Sequence, residues 1–364
     1  MTEPRVAIAH DYLTQRGGAE RVVLSLLKAF PGAPVYTTLY DPDGTYPEFR
    51  DVHVVTSGLN RIPAFRRDHR RALPLLAPAA SQLRIDADVV VASSSAFAHG
   101  FPTTGRKVVY YHTPARFLYL ADEYLGERPS RSLKGLALLA LRRPLVAWDQ
   151  RAARTAEVAL CNSTVVQQRI ARVYGNHAEV LPPPAGVVPD AAGSAPASLA
   201  DWSGGFHLVV CRLLPYKNVD AVVAAFRELG ERLVVVGRGP EKERLAELAP
   251  PNVRLVEGLT DAGMRWVYAR AKALVAASFE DFGLTPLEAG AFGKPVIALH
   301  AGGYLDTVVD GVNGTWFGAP TASEIAAAVR RHGERTFSEQ AIRDHVERFS
   351  EDRFVARIRA VALG

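Results

Sequence analysis

The chain has 364 residues, of which 48% are hydrophobic and 22% charged, so it holds enough apolar material for two buried cores. Its net charge of +5 is too small to indicate a nucleic-acid partner by itself, but it suits a phosphate-bearing ligand or an anionic membrane surface. The two cysteines, Cys161 and Cys211, each end an apolar run, which favours buried strand thiols over a disulfide or a metal site. The first residues lack the apolar core of a signal peptide, and no run of about 18 apolar residues follows. We therefore predict a cytoplasmic protein, with any membrane contact peripheral.

Short apolar runs alternate with helical patterns along the whole chain, which predicts βαβ units and mostly parallel sheets. The predicted strands of the first half are Val6–Ala9, Val35–Leu39, Val52–Val55, Val89–Ala92, Val108–Tyr111 and Val158–Cys161. Those of the second half are Leu208–Cys211, Leu233–Val236, Val253–Val256, Leu274–Ala277 and Val296–Leu299. Predicted helices between them include Ala19–Phe30, Ser163–Tyr174, Asn218–Leu229 and Thr285–Phe292.

A stretch rich in proline and small residues separates the two halves. It runs from Pro182 to Gly205 and is typical of an interdomain linker. The sequence therefore predicts an α/β domain of residues 1–188 and a second α/β domain that begins at residue 189.

Two segments of the first half combine basic and apolar residues, Arg61–Pro78 and Arg128–Trp148. Such segments can rest on an anionic membrane surface. A helix that packs its apolar face on the protein and exposes its charges to water has the same pattern. Both interpretations stay open at the level of the sequence.

Parallel α/β sheets bind their ligands at the carboxyl ends of the strands. Gly17 and Gly18 follow the first predicted strand and begin a helix, where backbone N–H groups can approach a phosphate or a sugar closely. A plain tight turn would need the same two glycines, so this signal is weak alone.

Two cations follow the first predicted strand of the second half. Arg212 and Lys217 lie five residues apart, where the strand ends and a helix begins. A guanidinium that binds two oxygens, a lysine point charge and a helix N-terminus together suit a diphosphate. Their position at the ligand-binding edge favours this function over two ordinary surface charges.

The segment from Ser278 to Ala289 carries two glutamates. Thr285 is predicted as a helix N-cap, with Pro286 as the first helical residue and Glu288 at the capping-box position. Capping would explain Glu288 structurally, although the same carboxylate can accept hydrogen bonds from a ribose diol. Glu280 lies on the preceding loop and has no capping role, which favours sugar binding.

Phe279–Ala289, with its two glutamates separated by seven residues, resembles the signature of retaining glycosyltransferase family 4. Tyr110–Phe117 resembles the His-Thr-Pro segment of the bacterial mannosyltransferase branch of that family. The resemblance extends over nearly the whole chain, through the additional matches Gly17–Gly18, Arg212, Lys217, Gly293–Ala298 and Gly302–Gly303.

The resemblance implies a GT-B fold, in which two Rossmann-like domains face a central cleft and a C-terminal helix, residues 350–364, crosses back to the N-terminal domain. The N-terminal domain would bind the acceptor, and residues 189–349 would hold the donor. Glu280 would bind the hydroxyls of the donor sugar, and Glu288 the ribose. Arg212 and Lys217 would neutralise the leaving diphosphate. Further donor contacts would come from Gly17, Gly18, Phe282, Gly283, Leu284 and Thr285.

His112 ends a strand of the first half. A lone histidine is more often structural, but the resemblance implies that this one touches the donor sugar near the anomeric carbon.

The implied reaction is hexosyl transfer with retention of configuration. Fixed cations would replace a metal ion at the leaving group, and no cofactor beyond the nucleotide sugar would be needed. The His-Thr-Pro segment favours GDP-mannose as the donor, with UDP-sugars as the alternative. The acceptor would be a glycan, a glycolipid or a lipid-linked polysaccharide precursor, reached at the inner face of the membrane.

Other interpretations of the chain are weaker. Asp41-Pro42-Asp43 and Asp86-Ala87-Asp88 copy a metal-binding motif, but the first lies in a turn and the second at the amino end of a strand.

Val236–Pro240 lacks the third glycine of a dinucleotide fingerprint, which argues against a dehydrogenase. A nucleotide-sugar epimerase, a sugar phosphorylase and a binding protein without turnover remain alternatives on the same fold.

Overall fold

The computed structural model describes residues 3–120, 133–187, 189–202 and 204–364. Val188, at the predicted domain boundary, and the start of the second basic segment, Arg128–Ser132, lie outside the described residues. The chain forms two compact units. One contains Met1–Pro183 and Glu351–Gly364, and the other contains Pro184–Ser350.

The first unit contains a parallel sheet with the strand order β3-β2-β1-β4-β5-β6-β7. Its strands are β1 (Val6–His10), β2 (Val35–Thr37), β3 (Val54–Thr56), β4 (Val89–Ser94), β5 (Arg106–Tyr111), β6 (Val158–Cys161) and β7 (Glu179–Val180). The six strands predicted for this half are confirmed. The two-residue β7 was missed because two residues carry no periodicity.

Helices cover both faces of this sheet, which is why its strands are apolar on both sides. They are α1 (Gly18–Ala29), α2 (Pro63–Arg67), α3 (Leu73–Gln82), α4 (Arg116–Tyr119), α5 (Leu133–Ala153) and α6 (Thr164–Tyr174). Within β1, Ile8 packs into the core beneath α1, whereas its neighbours Ala7 and Ala9 pack into the core on the opposite face.

The second unit contains a parallel sheet with the order β10-β9-β8-β11-β12-β13. Its strands are β8 (Phe206–Val210), β9 (Leu233–Val236), β10 (Val253–Val256), β11 (Ala271–Ala276), β12 (Val296–Leu299) and β13 (Gly314–Phe317). Its helices are α7 (Val219–Leu229), α8 (Lys242–Leu248), α9 (Asp261–Arg270), α10 (Leu284–Ala291), α11 (Tyr304–Thr307), α12 (Ala322–Gly333) and α13 (Glu339–Glu347). The five predicted strands are confirmed, and β13 was missed.

The last helix, α14 (Glu351–Leu363), belongs to the first unit, as the resemblance implied. Its buried residues Phe354, Ile358 and Ala362 recur at intervals of four, so they form one apolar stripe that packs into the core shared with α1. Glu351 fixes the start of the helix by accepting hydrogen bonds from Ser25 Oγ (2.7 Å) and Lys28 Nζ (2.5 Å) on α1.

In both sheets the strand order reverses between two neighbouring strands, at β1 and β4 in the first unit and at β8 and β11 in the second. Ligands of open α/β sheets bind at such a switch point, at the carboxyl ends of the strands. Among the helices that the structure describes, none is both long enough and apolar enough to cross a bilayer.

Candidate functional site

The loops that follow β8 and β11 carry the predicted donor residues of the second unit. After β8 the chain passes Arg212 and forms a short 3₁₀ turn, Pro215–Lys217. Asn218 then adopts a left-handed conformation (φ 54°), and its side-chain amide donates to the carbonyl of Ala277 at 2.8 Å. This bond ties the β8 loop to the end of β11, so the two predicted halves of the site are held together.

Lys217 and Glu280 form an ion pair at this edge of the sheet, in which the Lys217 ammonium donates to Glu280 Oε1. Ser278 Oγ donates to the same carboxylate oxygen at 2.5 Å and lies 3.1 Å from the hydroxyl of Tyr304. The side chains of Lys217 and Glu280 are only 10% and 19% exposed. Burial lowers the pKa of Lys217, but the Glu280 carboxylate outweighs it and the pKa is raised. The lysine is therefore a fixed positive charge.

Arg212 contrasts with this pair. Its side chain is exposed and makes no hydrogen bond or ion pair with any residue that the structure describes. The Arg212 guanidinium can therefore bind a ligand without the loss of a contact to any of those residues.

The capping-box prediction for Glu288 is wrong. Helix α10 begins at Leu284, its N-cap is Gly283 with φ 85°, and no side chain caps it. The chain enters the helix two residues earlier than predicted because the glycine takes the left-handed conformation. Thr285 consequently lies inside the first turn.

Glu288 has a different partner, which no local sequence pattern indicated. The hydroxyl of Tyr268 on α9 donates to Glu288 Oε2 at 2.6 Å, and both residues are buried. Burial, followed by the nearby carboxylate, raises the pKa of Tyr268 well above its usual value, so the hydroxyl remains a donor. This bond gives the Glu288 carboxylate a defined orientation.

Two consecutive glycines support the Glu280 loop from the other side. The backbone N–H of Gly303 donates to the carbonyl of Glu280 at 2.8 Å. A Cβ on Gly302 would lie 2.6 Å from that same carbonyl oxygen, and Gly302 has φ 65°. Only glycine allows the two loops to approach this closely.

The remaining predicted residues lie in the first unit. Gly17 is the N-cap of α1 and Gly18 is its first residue. A Cβ on Gly17 would lie 2.5 Å from Oε2 of Glu20, so the glycine leaves room for a buried carboxylate. His112 follows β5, and its Nε2 lies 2.8 Å from Ser93 Oγ.

Asp11, directly after β1, is a residue that the sequence reasoning missed. Its carboxylate accepts hydrogen bonds at 2.6 to 3.1 Å from four consecutive backbone N–H groups, those of Ser95, Ala96, Phe97 and Ala98. The carboxylate therefore fixes the loop after β4 at the switch point of the first sheet.

The two Asp-x-Asp segments have ordinary structural partners. Asp86 and Asp88 pair with Arg5 at 3.3 and 3.1 Å, and Asp43 pairs with Arg50 at 2.7 Å. Within the described part of the chain, no three His, Cys, Asp or Glu side chains come together as a potential metal site. Both cysteines are free thiols. Cys161 is buried at the end of β6, as predicted, whereas Cys211 is half-buried and directly follows β8.

Two family models match the chain. Residues 16–186 match the model of Glycosyltransferase Family 4, and residues 203–347 match that of Glycosyl transferases group 1.

Relatives and a solved structure agree with these matches. A GDP-mannose-dependent α-(1-6)-phosphatidylinositol monomannoside mannosyltransferase of Mycolicibacterium smegmatis is 27% identical over 350 residues, which cover 88% of this chain and 87% of the relative. Glycogen synthase of Pseudomonas aeruginosa is 37% identical over 142 residues, but the match spans only 28% of its length. The crystal structure of Anabaena HepE in complex with UDP-glucose superposes with a TM-score of 0.69 over 98% of both chains, at 18% identity. The chain therefore belongs to glycosyltransferase family 4 and has the GT-B fold.

Proposed function

We propose that the protein is a retaining, metal-independent hexosyltransferase that uses a nucleoside diphosphate sugar as its donor. The observation that carries this proposal is the Lys217–Glu280 pair at the switch point of the second sheet, with Arg212 on the same loop as Lys217 and paired with none of the described residues. Transfer of a sugar from a diphosphate requires positive side chains near the diphosphate and carboxylates near the sugar. The switch point of the second sheet carries side chains of both kinds.

The roles follow from charge. Cleavage of the bond between sugar and diphosphate builds negative charge on the leaving oxygen and positive character on the sugar. Arg212 and Lys217 stabilise the diphosphate, Glu280 binds sugar hydroxyls, and Glu288 binds the ribose. Phe282 and the backbone N–H groups of Gly283, Leu284 and Thr285 complete the donor contacts of the second unit. Gly17, Gly18 and His112 of the first unit are also proposed to contact the donor.

We favour GDP-mannose as the donor. The His-Thr-Pro segment at His112 and the mannosyltransferase from Mycolicibacterium smegmatis support this choice. A UDP-sugar is the second candidate, because glycogen synthase is also among the relatives and the HepE crystal contains UDP-glucose. A thermal-shift panel of nucleotide sugars, each with and without EDTA, separates these candidates. We expect the largest shift with GDP-mannose and no effect of EDTA.

The acceptor is a glycan, a glycolipid or a polysaccharide precursor that carries an anionic group. A cavity of about 300 Å³ in the first unit supports this choice, and its lining includes Asn60, Arg61 and Arg66. Neither arginine side chain makes an ion pair with a residue that the structure describes. A phosphate of a lipid-linked acceptor would compensate both charges, with the enzyme acting at the cytoplasmic face of the membrane.

The sugar-binding role of Glu280 is tested by Glu280→Ala. We expect transfer to be abolished while affinity for GDP changes by no more than a few-fold, since free GDP lacks the transferred hexose that Glu280 is proposed to bind. Sugar transfer and calorimetric titration with GDP are measured on the same preparation. Glu257→Ala is the matched control, because Glu257 also pairs with a lysine, Lys242, on the surface of the same unit.

An equal loss of GDP binding and of transfer in Glu280→Ala would contradict the assigned role. A product formed from the donor alone, with inverted sugar stereochemistry at a ring carbon, would instead support the epimerase alternative.

A further inference from the structure

A chain of buried polar groups crosses the first sheet from α1 to the residue after β5. Glu20 lies on α1, His10 ends β1, Ser93 lies on β4, and His112 follows β5. Glu20 and His10 are 1% exposed and Ser93 is fully buried. Glu20 Oε1 lies 3.9 Å from His10 Nε2, His10 Nδ1 lies 3.1 Å from Ser93 Oγ, and Ser93 Oγ lies 2.8 Å from His112 Nε2.

The contacts of His10 determine where its protons are. Its Nδ1 also lies 3.1 Å from the carbonyl oxygen of Ser93, which can only accept, so Nδ1 carries a hydrogen. Its Nε2 lies 3.9 Å from Glu20 Oε1, and a negative charge at that distance favours a hydrogen on Nε2 as well. Burial lowers the pKa of His10, but Glu20, with smaller contributions from Asp11 and the Ser93 carbonyl, outweighs it and the pKa is raised. The raised pKa and the nearby Glu20 carboxylate both favour the imidazolium form of His10.

The charge on His10 sets the direction of the next hydrogen bond. Ser93 Oγ accepts from His10 Nδ1, and its own hydrogen is then directed to His112 Nε2. Burial, followed by the positive charge of His10, lowers the pKa of His112 to about 3, so this ring is neutral. A neutral ring whose Nε2 accepts a hydrogen bond carries its proton on Nδ1.

We propose that Glu20, His10 and Ser93 are positioning residues that hold His112 as the neutral Nδ1–H tautomer, so that it presents a hydrogen-bond donor to an oxygen of the donor sugar. Nδ1 makes no hydrogen bond with any residue that the structure describes, which leaves it for the ligand. The part of this inference that concerns the sugar rests on the proposed function. The tautomer itself is a property of the protein alone.

The tautomer is measured by long-range ¹H–¹⁵N correlation spectra of protein labelled at histidine, with His112→Gln to assign the resonance. We expect His112 to show a protonated Nδ1 and an unprotonated Nε2 from pH 6 to 8, and His10 to show two protonated nitrogens. Ser93→Ala removes the hydroxyl that holds Nε2, so the His112 ring is expected to shift towards the Nε2–H form, whereas Ser93→Thr preserves the wild-type pattern. An Nε2–H or charged His112 in the wild type would overturn the proposal.

Kinetics separate positioning from a purely structural role. We expect Glu20→Gln and Ser93→Ala to lower kcat about 10-fold or more, with the KM for the donor changed less than about 3-fold, since the ring still binds but presents the wrong atom. Ser93→Thr should restore kcat. Ser25→Ala is the control, because Ser25 is buried on the same helix as Glu20 but bonds to Glu351 instead.

The two proposals fail differently. If His112→Ala keeps full transfer activity, the contact with the sugar is wrong although the tautomer result stands. If Ser93→Ala keeps the wild-type tautomer and kcat, the positioning role is wrong whatever His112 does.

Discussion

At the scale of single residues, the charged side chains of the second unit suit the proposed diphosphate. Lys217 is held in place by Glu280, and Ser278 bonds to the same carboxylate. The pair is partly buried, so its ammonium loses little further hydration when a ligand binds. Preorganised charges of this kind stabilise a developing negative charge without the cost of moving groups into place. Arg212 has no such partner among the residues that the structure describes, so its replacement gives the most direct measure of the proposed diphosphate contact.

Arg212→Ala is expected to weaken binding of the free nucleoside diphosphate by about 2 kcal/mol, because a charge-assisted contact is lost. Calorimetric titration with GDP measures the change. Arg330→Ala is the control, since Arg330 lies on α12 and pairs with the exposed Glu228 on the surface of the same unit. Equal affinities for Arg212→Ala and the wild type would place the diphosphate elsewhere.

At the level of elements, the site depends on loops that approach each other through glycine. The loop after β11 carries Glu280, and the loop after β12 carries Gly302 and Gly303, which contact the backbone of residues 280–282. The two loops follow neighbouring strands of one parallel sheet, so their meeting follows from the strand order. A side chain at Gly302 would push against the carbonyl of Glu280 and move its carboxylate away from Lys217.

Gly302→Ala is expected to lower both stability and donor affinity. Gly230→Ala is the matched control, because Gly230 has φ 69°, close to the 65° of Gly302, but nothing lies within 4 Å of its added Cβ. Both variants carry the cost of the left-handed conformation, about 1–2 kcal/mol. Gly302→Ala should cost a further 1–3 kcal/mol or so from crowding, and only this variant should weaken donor binding. Urea unfolding and donor titration together measure the difference, and equal losses in both variants would refute the close approach.

At the level of the whole molecule, both units bury histidines that are neutral in the folded state. Burial is the main cause that lowers the pKa of His69, His207 and His332 to about 4 each. Below the ordinary pKa of about 6.5 the unfolded chain binds protons at these residues and the folded chain does not. Stability from these groups is therefore complete above pH 6.5 and lost as the pH falls from about 6.5 to 4.

The free energy of unfolding, measured in urea between pH 7.5 and 4.5, is expected to fall over this window. His207→Gln should reduce the slope by up to about 1.4 kcal/mol per pH unit, the contribution of one proton. His177→Gln serves as the control, because His177 is an exposed histidine outside the buried set. A slope that is the same in His207→Gln and the wild type would show that this ring is not held neutral by burial.

The sequence by itself determined the class of fold. It also determined which residues follow the carboxyl ends of the strands, where parallel α/β sheets bind ligands. Alternating apolar runs and helices predict two parallel sheets, because both faces of each strand must be buried. The short strands β7 and β13 escaped prediction, since strand pairing rather than a local pattern defines them. Arg212, Lys217 and Glu280 were found because each follows a recognisable strand. Their roles in binding and catalysis stay predictions.

Only the tertiary structure decided which of these side chains meet. Lys217 and Glu280 are 63 positions apart in the chain, Glu288 and Tyr268 are 20 apart, and His10 and Ser93 are 83 apart. The capping-box prediction also failed because it used only residues close together in the sequence to place the start of the helix. Packing against Tyr304 instead favours a glycine at position 283, which turns the chain into the helix earlier. Local patterns reflect backbone preference and burial, whereas partners distant in sequence are set by strand order, which no short stretch of sequence contains.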